Sequence, residues 1–369
     1  MSKVLLVGLG NVGTHILEFL VRDPNCPELL IGDFNEKNEL KVNNALIGAA
    51  VKGLYPNVTF KKMDLTDVIQ TTEIINQFKP DVIIQGAVMH TWHLIRKLPE
   101  EVYAKISAAT LGAWLPAQIA LAYHLMLALK DSDVNAHVVN TSLSCLVNPA
   151  LASVGLPPTI GIGNVELMQP AVKIMVSRLL NESPTDIEVY LVAHHNWWVY
   201  PREAGYKKSP FIMKVYLKGK DISNKFDLEK LLYDAIKLYP EGIDFTTVSA
   251  TSAIENMYAL LGDEIVTKHS PGPLGLPGGY PIKISKKGVE VYLPEGVTIE
   301  EAIAVNIASQ KNDGIEEIRK GGTIVFSDIA HEIMKEMLDF DYSEFNVKDS
   351  LEVAKELISK YHDFAKQYV

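Results

Sequence analysis

The first half of the chain alternates short apolar runs with segments whose apolar residues recur at helical spacing. The runs are rich in Val, Ile and Leu, which favours β-strands, and segments such as NVGTHILEFLVR lie between them. Regular alternation of strand and helix predicts βαβ units and a parallel sheet buried on both faces. The predicted strands of this half are KVLLVG, ELLIGD, NVTFKKMDL, DVIIQGA and AHVVNT.

The second half has a different order of elements. A strand, TIGIG, and a helix, VELMQPAVKIMVSRLL with Asn164 as its N-cap, precede the strand DIEVYLVAHH. We expect helices at 227–238 and 249–261, a hairpin in PIKISKKGVEVYLP and two closing helices. The pattern is typical of an α+β unit.

These patterns predict an α/β protein of two domains, which suits a chain of 369 residues. Residues 1–149 form an N-terminal Rossmann domain with a doubly wound parallel sheet. Residues 150–369 form a C-terminal α+β substrate domain. Its helical extension, from about Gly321, either makes a dimer contact or covers the core. A long helical region between Glu100 and Lys130 should bend near Gly112 and Pro116.

Composition excludes several classes of protein. Hydrophobic residues make up 47% and charged residues 22%, as in soluble globular proteins. The formal charge of −10, with no dense basic run, predicts no nucleic-acid partner. The chain lacks about 20 uninterrupted apolar residues, so we expect no membrane partner. Only Cys26 and Cys145 occur, without paired Cys/His spacing, which predicts a reducing cytoplasm and no metal site.

A cofactor motif lies near the N-terminus. Gly8-Leu9-Gly10-Asn11-Val12-Gly13 matches G-x-G-x-x-G directly after a predicted strand and at the start of a predicted helix. The first glycine permits a tight turn, the second lets a pyrophosphate approach the backbone, and the third packs helix against strand. The helix N-terminus then faces the phosphates. This context predicts a dinucleotide site.

Three further residues extend this site. Asp33 ends the second predicted strand, about 20 residues beyond the motif, where a carboxylate binds ribose hydroxyls and repels a 2′-phosphate. This favours NAD as the cofactor over NADP; a helix-capping role for Asp33 is the alternative. Gly86 and Ala87 end the fourth strand, and their small size suits either a passing cofactor or an ordinary turn.

The segment VYLVAHHNWWVYP offers histidines for chemistry beside a dinucleotide. Hydride transfer from an alcohol needs a group that takes the hydroxyl proton, and histidine suits this task near neutral pH. It works best when a carboxylate fixes its tautomer. Alternation along the strand predicts that His194 and His195 lie on opposite faces, so that only one faces the cleft.

These segments resemble the lactate/malate dehydrogenase superfamily, in which an Asp begins a helix, an Arg follows three positions later and a catalytic His ends a later strand. In this chain GIGNVELMQPA is similar to the first segment, with Glu166 for the Asp and Gln169 for the Arg, and VYLVAHHNWWVYP places His195 at the catalytic position. The resemblance extends, with gaps, from Val4 to about Ile318. It implies an NAD-dependent dehydrogenase, active as a homodimer or homotetramer, in which His195 exchanges the proton and Glu166 orients it.

The residues leave the small-molecule substrate open between a hydroxy acid and a polyol or sugar. Gln169 can exchange hydrogen bonds with a substrate but cannot grip a carboxylate as an arginine does. Arg96 and Arg202 are the candidates for that grip. Asn140, at the end of a strand, is a candidate to hold the substrate oxygen, and the resemblance places Ser249 along the substrate pocket.

Three other functions remain as alternatives. The NAD-dependent family 4 glycosidases resemble the same fold, but their metal-binding Cys is absent from GIGN and their Asn-His order is reversed here. DLTDVIQTTEIINQFKPDVIIQGA is similar to extended short-chain epimerases of sugar nucleotides, but no Y-x-x-x-K occurs between Ile84 and Tyr190. A non-catalytic NAD-binding sensor is the third alternative.

Overall fold

A computed structural model describes residues 2–199, 209–239 and 246–368, apart from the side chains of Trp92, Trp198 and Val199. Its centre is a parallel sheet of six strands in the order β3-β2-β1-β4-β5-β6. This is the predicted doubly wound sheet, with the order reversing between β1 and β4. The strands are β1 (Lys3–Val7), β2 (Glu28–Asp33), β3 (Val58–Lys62), β4 (Val82–Gln85), β5 (His137–Asn140) and β6 (Ile160–Gly161).

Both faces of the sheet are covered, as continuous apolar strands require. In β1 the side chains alternate between two cores: Leu5 and Val7 join one, and Val4 and Leu6 join the other. The six helices that connect the strands are α1 (Asn11–Leu20), α2 (Glu39–Val51), α3 (Val68–Phe78), α4 (Glu100–Ser107), α5 (Leu115–Asp131) and α6 (Ser144–Ala152).

The described residues of the second half add three small antiparallel sheets, each of three strands, which confirms the α+β organisation. Their strands are β7 (Ile187–Val192), β8 (Ile212–Leu217), β9 (Lys220–Asp221), β10 (Val266–Pro271), β11 (Gly279–Ser285), β12 (Gly288–Val291), β13 (Ile315–Ile318), β14 (Thr323–Phe326) and β15 (Glu344–Asn346). The helices are α7 (Val165–Leu180), α8 (Asn196–Val199), α9 (Leu228–Ile236), α10 (Thr246–Leu261), α11 (Ile299–Asn312), α12 (Asp328–Leu338) and α13 (Ser350–Ala365).

The predicted hairpin is confirmed as β11 and β12, paired antiparallel. The closing part of the chain is richer than predicted: three helices end it instead of two, and a sheet of β13, β14 and β15 lies among them. Short strands such as IEEI carry too few apolar positions for a clear period of two. Leu338, Phe345 and Leu357 of this extension join the core on one face of the parallel sheet, so the extension covers that core.

The long helical region between α4 and α6 is broken where predicted. Residues Leu111–Trp114 form a 3₁₀ turn, and α5 then begins with Pro116 in its first turn. The combined stretch Leu111–Asp131 is long and apolar enough to span a membrane, which the sequence had not predicted, but 78% of its most apolar window is buried within the molecule. It packs between α3 and α13.

The predicted boundary at residue 149 lies inside α6 and before β6. Because β6 pairs in parallel with β5, the central sheet extends to Gly161. The division into an NAD-binding and a substrate domain stays a prediction.

Candidate functional site

The glycine loop, Gly8–Gly13, joins β1 to α1 with little space around two of its glycines. Gly8 has a φ of +91°, and a Cβ there would lie 2.7 Å from the backbone nitrogen of Ala87. A Cβ on Gly13 would lie 1.9 Å from the carbonyl oxygen of Gly8. The predicted tight turn and close helix–strand packing are confirmed.

Gly10 behaves differently from its neighbours. It precedes α1 in an extended conformation, φ −70°, and a Cβ built on it meets no atom of the described chain within 4 Å. Its missing side chain therefore serves no packing contact and leaves open space before the helix N-terminus. Asn11 and Val12 begin α1, with Asn11 exposed and Val12 half-buried.

Asp33 is tied to the glycine loop. One carboxylate oxygen accepts a hydrogen bond from the Leu9 N–H at 2.7 Å, and the other accepts one from the Asn35 N–H at 2.9 Å. Asn35 itself caps the turn that follows, so the alternative of Asp33 as a helix cap is wrong. Each carboxylate oxygen has further lone-pair capacity for a ligand hydroxyl.

Gly86 and Ala87 approach the glycine loop from the end of β4. A Cβ on Gly86 would lie 3.0 Å from the carbonyl oxygen of Val7. Close contact with the backbone of residues 7 and 8 therefore explains the small size of Gly86 without a ligand. Their predicted contact with a cofactor stays a prediction.

His194 and His195 both point into one buried cluster. The strand β7 ends at Val192, Ala193 makes a single antiparallel bridge with Gly279, and the two histidines follow in a turn before α8. Their ring centroids are 4.4 Å apart, and neither residue is more than 1% exposed. The prediction of opposite faces is wrong because the strand geometry stops before the pair.

The carboxylate beside His195 belongs to Asp313. Nε2 of His195 lies 2.9 Å from Oδ2 of Asp313, and both side chains are buried. Burial alone would lower the pKa of His195, but the Asp313 carboxylate and the Cys145 sulfur outweigh it and raise the pKa to about 10. Burial and the neighbouring His195 hold the pKa of His194 well below its usual range. The pKa values of the two neighbouring imidazoles are thus shifted in opposite directions.

The predicted pairing of His195 with Glu166 is wrong. Glu166 accepts hydrogen bonds from Ser252 and from Asn256, the latter at 2.8 Å, and lies 3.3 Å from the Lys268 ammonium. Burial raises the pKa of Glu166 even though these three partners favour its charged form. Glu166 lies in the first turn of α7, and its side chain points toward α10 and β10. It therefore contacts residues of these two elements and not His195.

Glu166 and Gln169 line a cavity of about 760 Å³ bounded by α7, β7, α10 and β10. Neither His194 nor His195 is among the residues of its wall. The two positions that the resemblance assigned to catalysis and substrate binding therefore lie together, apart from the imidazoles.

Asp313 reaches the cluster through two close backbone approaches. It follows the last residue of α11, and its carbonyl oxygen accepts a hydrogen bond from the Gly112 N–H at 3.0 Å. A Cβ on Gly112 would lie 2.2 Å from that oxygen. Gly314 has a φ of +83°, and a Cβ on it would lie 2.5 Å from the Thr110 hydroxyl. Only glycines let these two segments press together.

Cys145 and Asn164 complete what we call the imidazole cluster: Cys145, Asn164, His194, His195 and Asp313. Cys145 lies in α6, directly after β5, and Asn164 lies directly before α7, after β6. Asn164 occupies the predicted N-cap position, but its side chain does not cap the helix. Its amide nitrogen instead donates to the Cys145 sulfur at 3.5 Å. Both residues follow the carboxyl ends of neighbouring parallel strands, where ligand sites of such sheets form.

The other predicted substrate residues are dispersed. Both amide hydrogens of Asn140 are used within the chain, at 2.8 Å to Ser142 and to Asn148, and its predicted role in holding the substrate oxygen stays a prediction. Ser249 is 8% exposed on α10, and Arg96 is exposed in the 3₁₀ turn Trp92–Lys97; their roles stay predictions. Arg202 lies outside the described residues.

Sequence reasoning missed Asp313 and Cys145 and gave Asn164 only a capping role. A signal existed for Cys145 and Asn164, because the loops after adjacent parallel strands are neighbours in space. No local signal marks Asp313, since it ends a helix more than a hundred residues away in the chain. The prediction of no metal site rested on sequence spacing and did not anticipate a cysteine and two histidines meeting in space.

The fold resembles solved dehydrogenases. The lactate dehydrogenase from Eimeria maxima, solved with NADH and oxamate, superposes with a TM-score of 0.57 at 17% identity, covering 84% of this chain and 93% of that chain. The chain has the fold of lactate and malate dehydrogenases. No family model and no curated protein matches the chain by sequence.

Two solved malate dehydrogenases also superpose on this chain. The enzyme from Cryptosporidium parvum has a TM-score of 0.56 at 16% identity and covers 85% of this chain and 98% of that one. The apo enzyme from Picrophilus torridus has a TM-score of 0.55 at 18% identity, with 85% and 96% covered. At these identities the likeness establishes the fold, and this chain's chemistry must be argued from its own residues.

Proposed function

We propose that this protein is an NAD-dependent oxidoreductase that transfers a hydride between the nicotinamide and a small hydroxylated substrate, a hydroxy acid or a polyol. One observation carries the proposal: the glycine loop and the imidazole cluster lie at the same carboxyl edge of one parallel sheet. Such sheets bind dinucleotides across that edge, at the point where the strand order reverses.

The residues of the adenosine side fit NAD. The open space at Gly10 is the place where a pyrophosphate would meet the backbone, and the N-terminus of α1 favours its negative charge. The Asp33 carboxylate, fixed by two backbone N–H groups, would accept the ribose hydroxyls and repel a 2′-phosphate. NAD supplies the hydride acceptor or donor when it is bound.

The imidazole cluster lies at the other end of the proposed cofactor site and would bind the substrate oxygen and exchange its proton. With the adenosine half at β1 and β2, the nicotinamide half would lie toward β4, β5 and β6, and Cys145 and Asn164 follow β5 and β6. His195 exchanges the hydroxyl proton there, and Asp313, in place of Glu166, fixes the orientation of its ring. Arg96 and Arg202 remain candidates for the substrate carboxylate, and assembly into dimers or tetramers stays a prediction that sedimentation measures.

The test follows the absorbance of reduced nicotinamide with a panel of hydroxy acids and polyols, with and without added Zn²⁺. We expect turnover in the wild type and a fall of roughly 10²–10⁴-fold in His195→Ala. His331→Ala, at a half-buried histidine of α12 that pairs with Asp341, is the matched control and should keep full activity. Unchanged turnover in His195→Ala would refute the role of His195, and NAD binding without turnover on any substrate would favour a sensor.

A further inference from the structure

The imidazole cluster brings together three metal-ligand types that are far apart in sequence. The sulfur of Cys145 and one ring nitrogen each of His194 and His195 all lie within 4.8 Å of one another, and all three residues are buried. In a tetrahedral zinc site, a sulfur and a nitrogen ligand lie roughly 3.5 Å apart. Small side-chain movements would therefore bring these atoms around one ion.

His194 gives the strongest independent sign of a missing ligand. The residue is fully buried, and neither of its ring nitrogens has a hydrogen-bond partner among the described residues. Buried polar groups in folded proteins are almost always paired, because an unpaired group loses its hydration without compensation. A bound cation would satisfy one of the two nitrogens.

The surrounding contacts are those of a supported metal site. Nε2 of His195 faces the Asp313 carboxylate at 2.9 Å, which leaves Nδ1 for an ion. Carboxylates commonly hold metal-bound histidines in this way, fixing the tautomer and strengthening the ligand. The Asn164 amide donates toward the Cys145 sulfur at 3.5 Å, which helps to hold this sulfur inside the cluster.

We propose that Cys145, His194 and His195 bind a divalent transition metal ion, with Zn²⁺ the best match. Thiolate and imidazole are ligands of zinc and its neighbours, whereas Mg²⁺ and Ca²⁺ require oxygen atoms. Three protein ligands leave a fourth position open, as in catalytic rather than structural zinc sites.

Metal binding itself does not depend on the proposed function. Only the catalytic role of the ion rests on it. With an ion bound, His195 would be a ligand, and the ion would supply a Lewis acid that polarises the substrate oxygen. Without the ion, His195 exchanges the proton itself. These two roles exclude each other, and metal dependence distinguishes them.

The experiment measures metal binding directly, without NAD or substrate. The full chain is purified under reducing conditions, its metal content is measured by mass spectrometry, and the ion is then removed by a chelator and replaced by Co²⁺. Cobalt bound to a thiolate gives a charge-transfer absorption band. We expect one metal ion per chain and this band in the wild type, and loss of the band in Cys145→Ser.

The matched control is Cys26→Ser, at the other cysteine, which is half-buried and lies outside the cluster. It should keep the metal and the band. His194→Gln should lose the bound metal, and Asp313→Asn should weaken metal affinity by about 10–100-fold. Circular dichroism of each variant separates lost binding from lost folding.

A wild-type protein that binds no stoichiometric Zn²⁺ or Co²⁺ overturns the proposal, as does a band that depends on Cys26 and not on Cys145. The proposed function fails separately, through absence of NAD binding or turnover. A chain that binds the metal but not NAD would retain the metal site and lose the dehydrogenase assignment.

Discussion

The glycine loop and the imidazole cluster lie at the same edge of one sheet but are built in opposite ways. The glycine loop is six consecutive residues at the junction of β1 and α1, and it contacts its own backbone and the ends of β2 and β4. The imidazole cluster collects side chains from the segments after β5, β6, β7 and α11. One site is encoded locally, and the other exists only after the chain has folded.

This difference explains which predictions succeeded. A turn that needs glycine at fixed positions gives the same glycine spacing in every sequence that contains it, so it can be recognised from the sequence. A buried carboxylate beside an imidazole has no such sequence pattern, because an acidic residue from any part of the chain can form this contact. The predicted carboxylate was Glu166, chosen by position along a helix, and the observed one is Asp313.

The largest effect is expected from breaking the local site. Gly13→Val would place side-chain atoms against the Gly8 carbonyl, and we expect it to cost at least about 3 kcal/mol of unfolding free energy and to abolish NAD binding. Gly10→Ala should leave the melting temperature unchanged yet weaken NAD binding, because its Cβ meets only open space. Calorimetry of unfolding and of NAD binding measures both. Equal stability losses in the two variants would contradict this account of the loop.

The second-largest effect is expected from removing the carboxylate of Asp313, the partner of His195. Asp313→Asn removes the charge beside His195, and we expect a loss of about 2–3 kcal/mol, because His195 can shed its proton and avoid the full cost of a broken buried pair. The pKa of His195 in the metal-free protein, followed by nitrogen chemical shifts, should fall. Glu166→Gln is the matched carboxylate control and should leave that pKa in place. The reverse result would restore Glu166 as the partner.

The third effect concerns a contact that holds the strand leading to the cluster. The Leu191 N–H of β7 donates to Nε2 of His269 at 3.1 Å, and burial lowers the pKa of His269 to about 3. The unfolded chain therefore takes up a proton below pH about 6.5 that the folded chain refuses, so stability falls as the pH drops, by about 2 kcal/mol at pH 5.

Chemical denaturation from pH 7 to pH 5 measures this slope. His269→Gln keeps an acceptor for the Leu191 N–H and should make the slope shallower, whereas His331→Gln, at a half-buried histidine of α12, should not. A profile that is the same in wild type and His269→Gln would show that the ring is not kept neutral by the fold.

The smallest effect is expected at the start of α11, where the contacts are again between residues close in sequence. Thr298 and Glu301 form a capping box at the start of α11, the helix that ends beside Asp313. Thr298→Ala should cost about 1 kcal/mol in denaturant unfolding, and Thr298→Ser should cost much less. If metal affinity and activity also drop sharply in Thr298→Ala, then the position of Asp313 depends on the start of its helix more than on the glycines at 112 and 314.

Much of the fold could be predicted because its elements carry their own periodic signals. The first five strands of the sheet, the break near Gly112 and Pro116, and the hairpin of β11 and β12 follow from apolar spacing and turn residues. The sheet of β13, β14 and β15 could not, since its strands are short and half polar. The opposite-face rule failed at His194 and His195 because it holds only inside a strand.

By itself the sequence determined the parallel sheet, the glycine loop and Asp33, because steric and conformational demands on consecutive residues leave a readable pattern. Tertiary structure alone decided which acid lies beside His195, why Glu166 faces Lys268, and how Cys145 comes to lie beside two imidazoles. These contacts join segments separated by many elements, and their identity depends on how helices and strands pack, which no local spacing records.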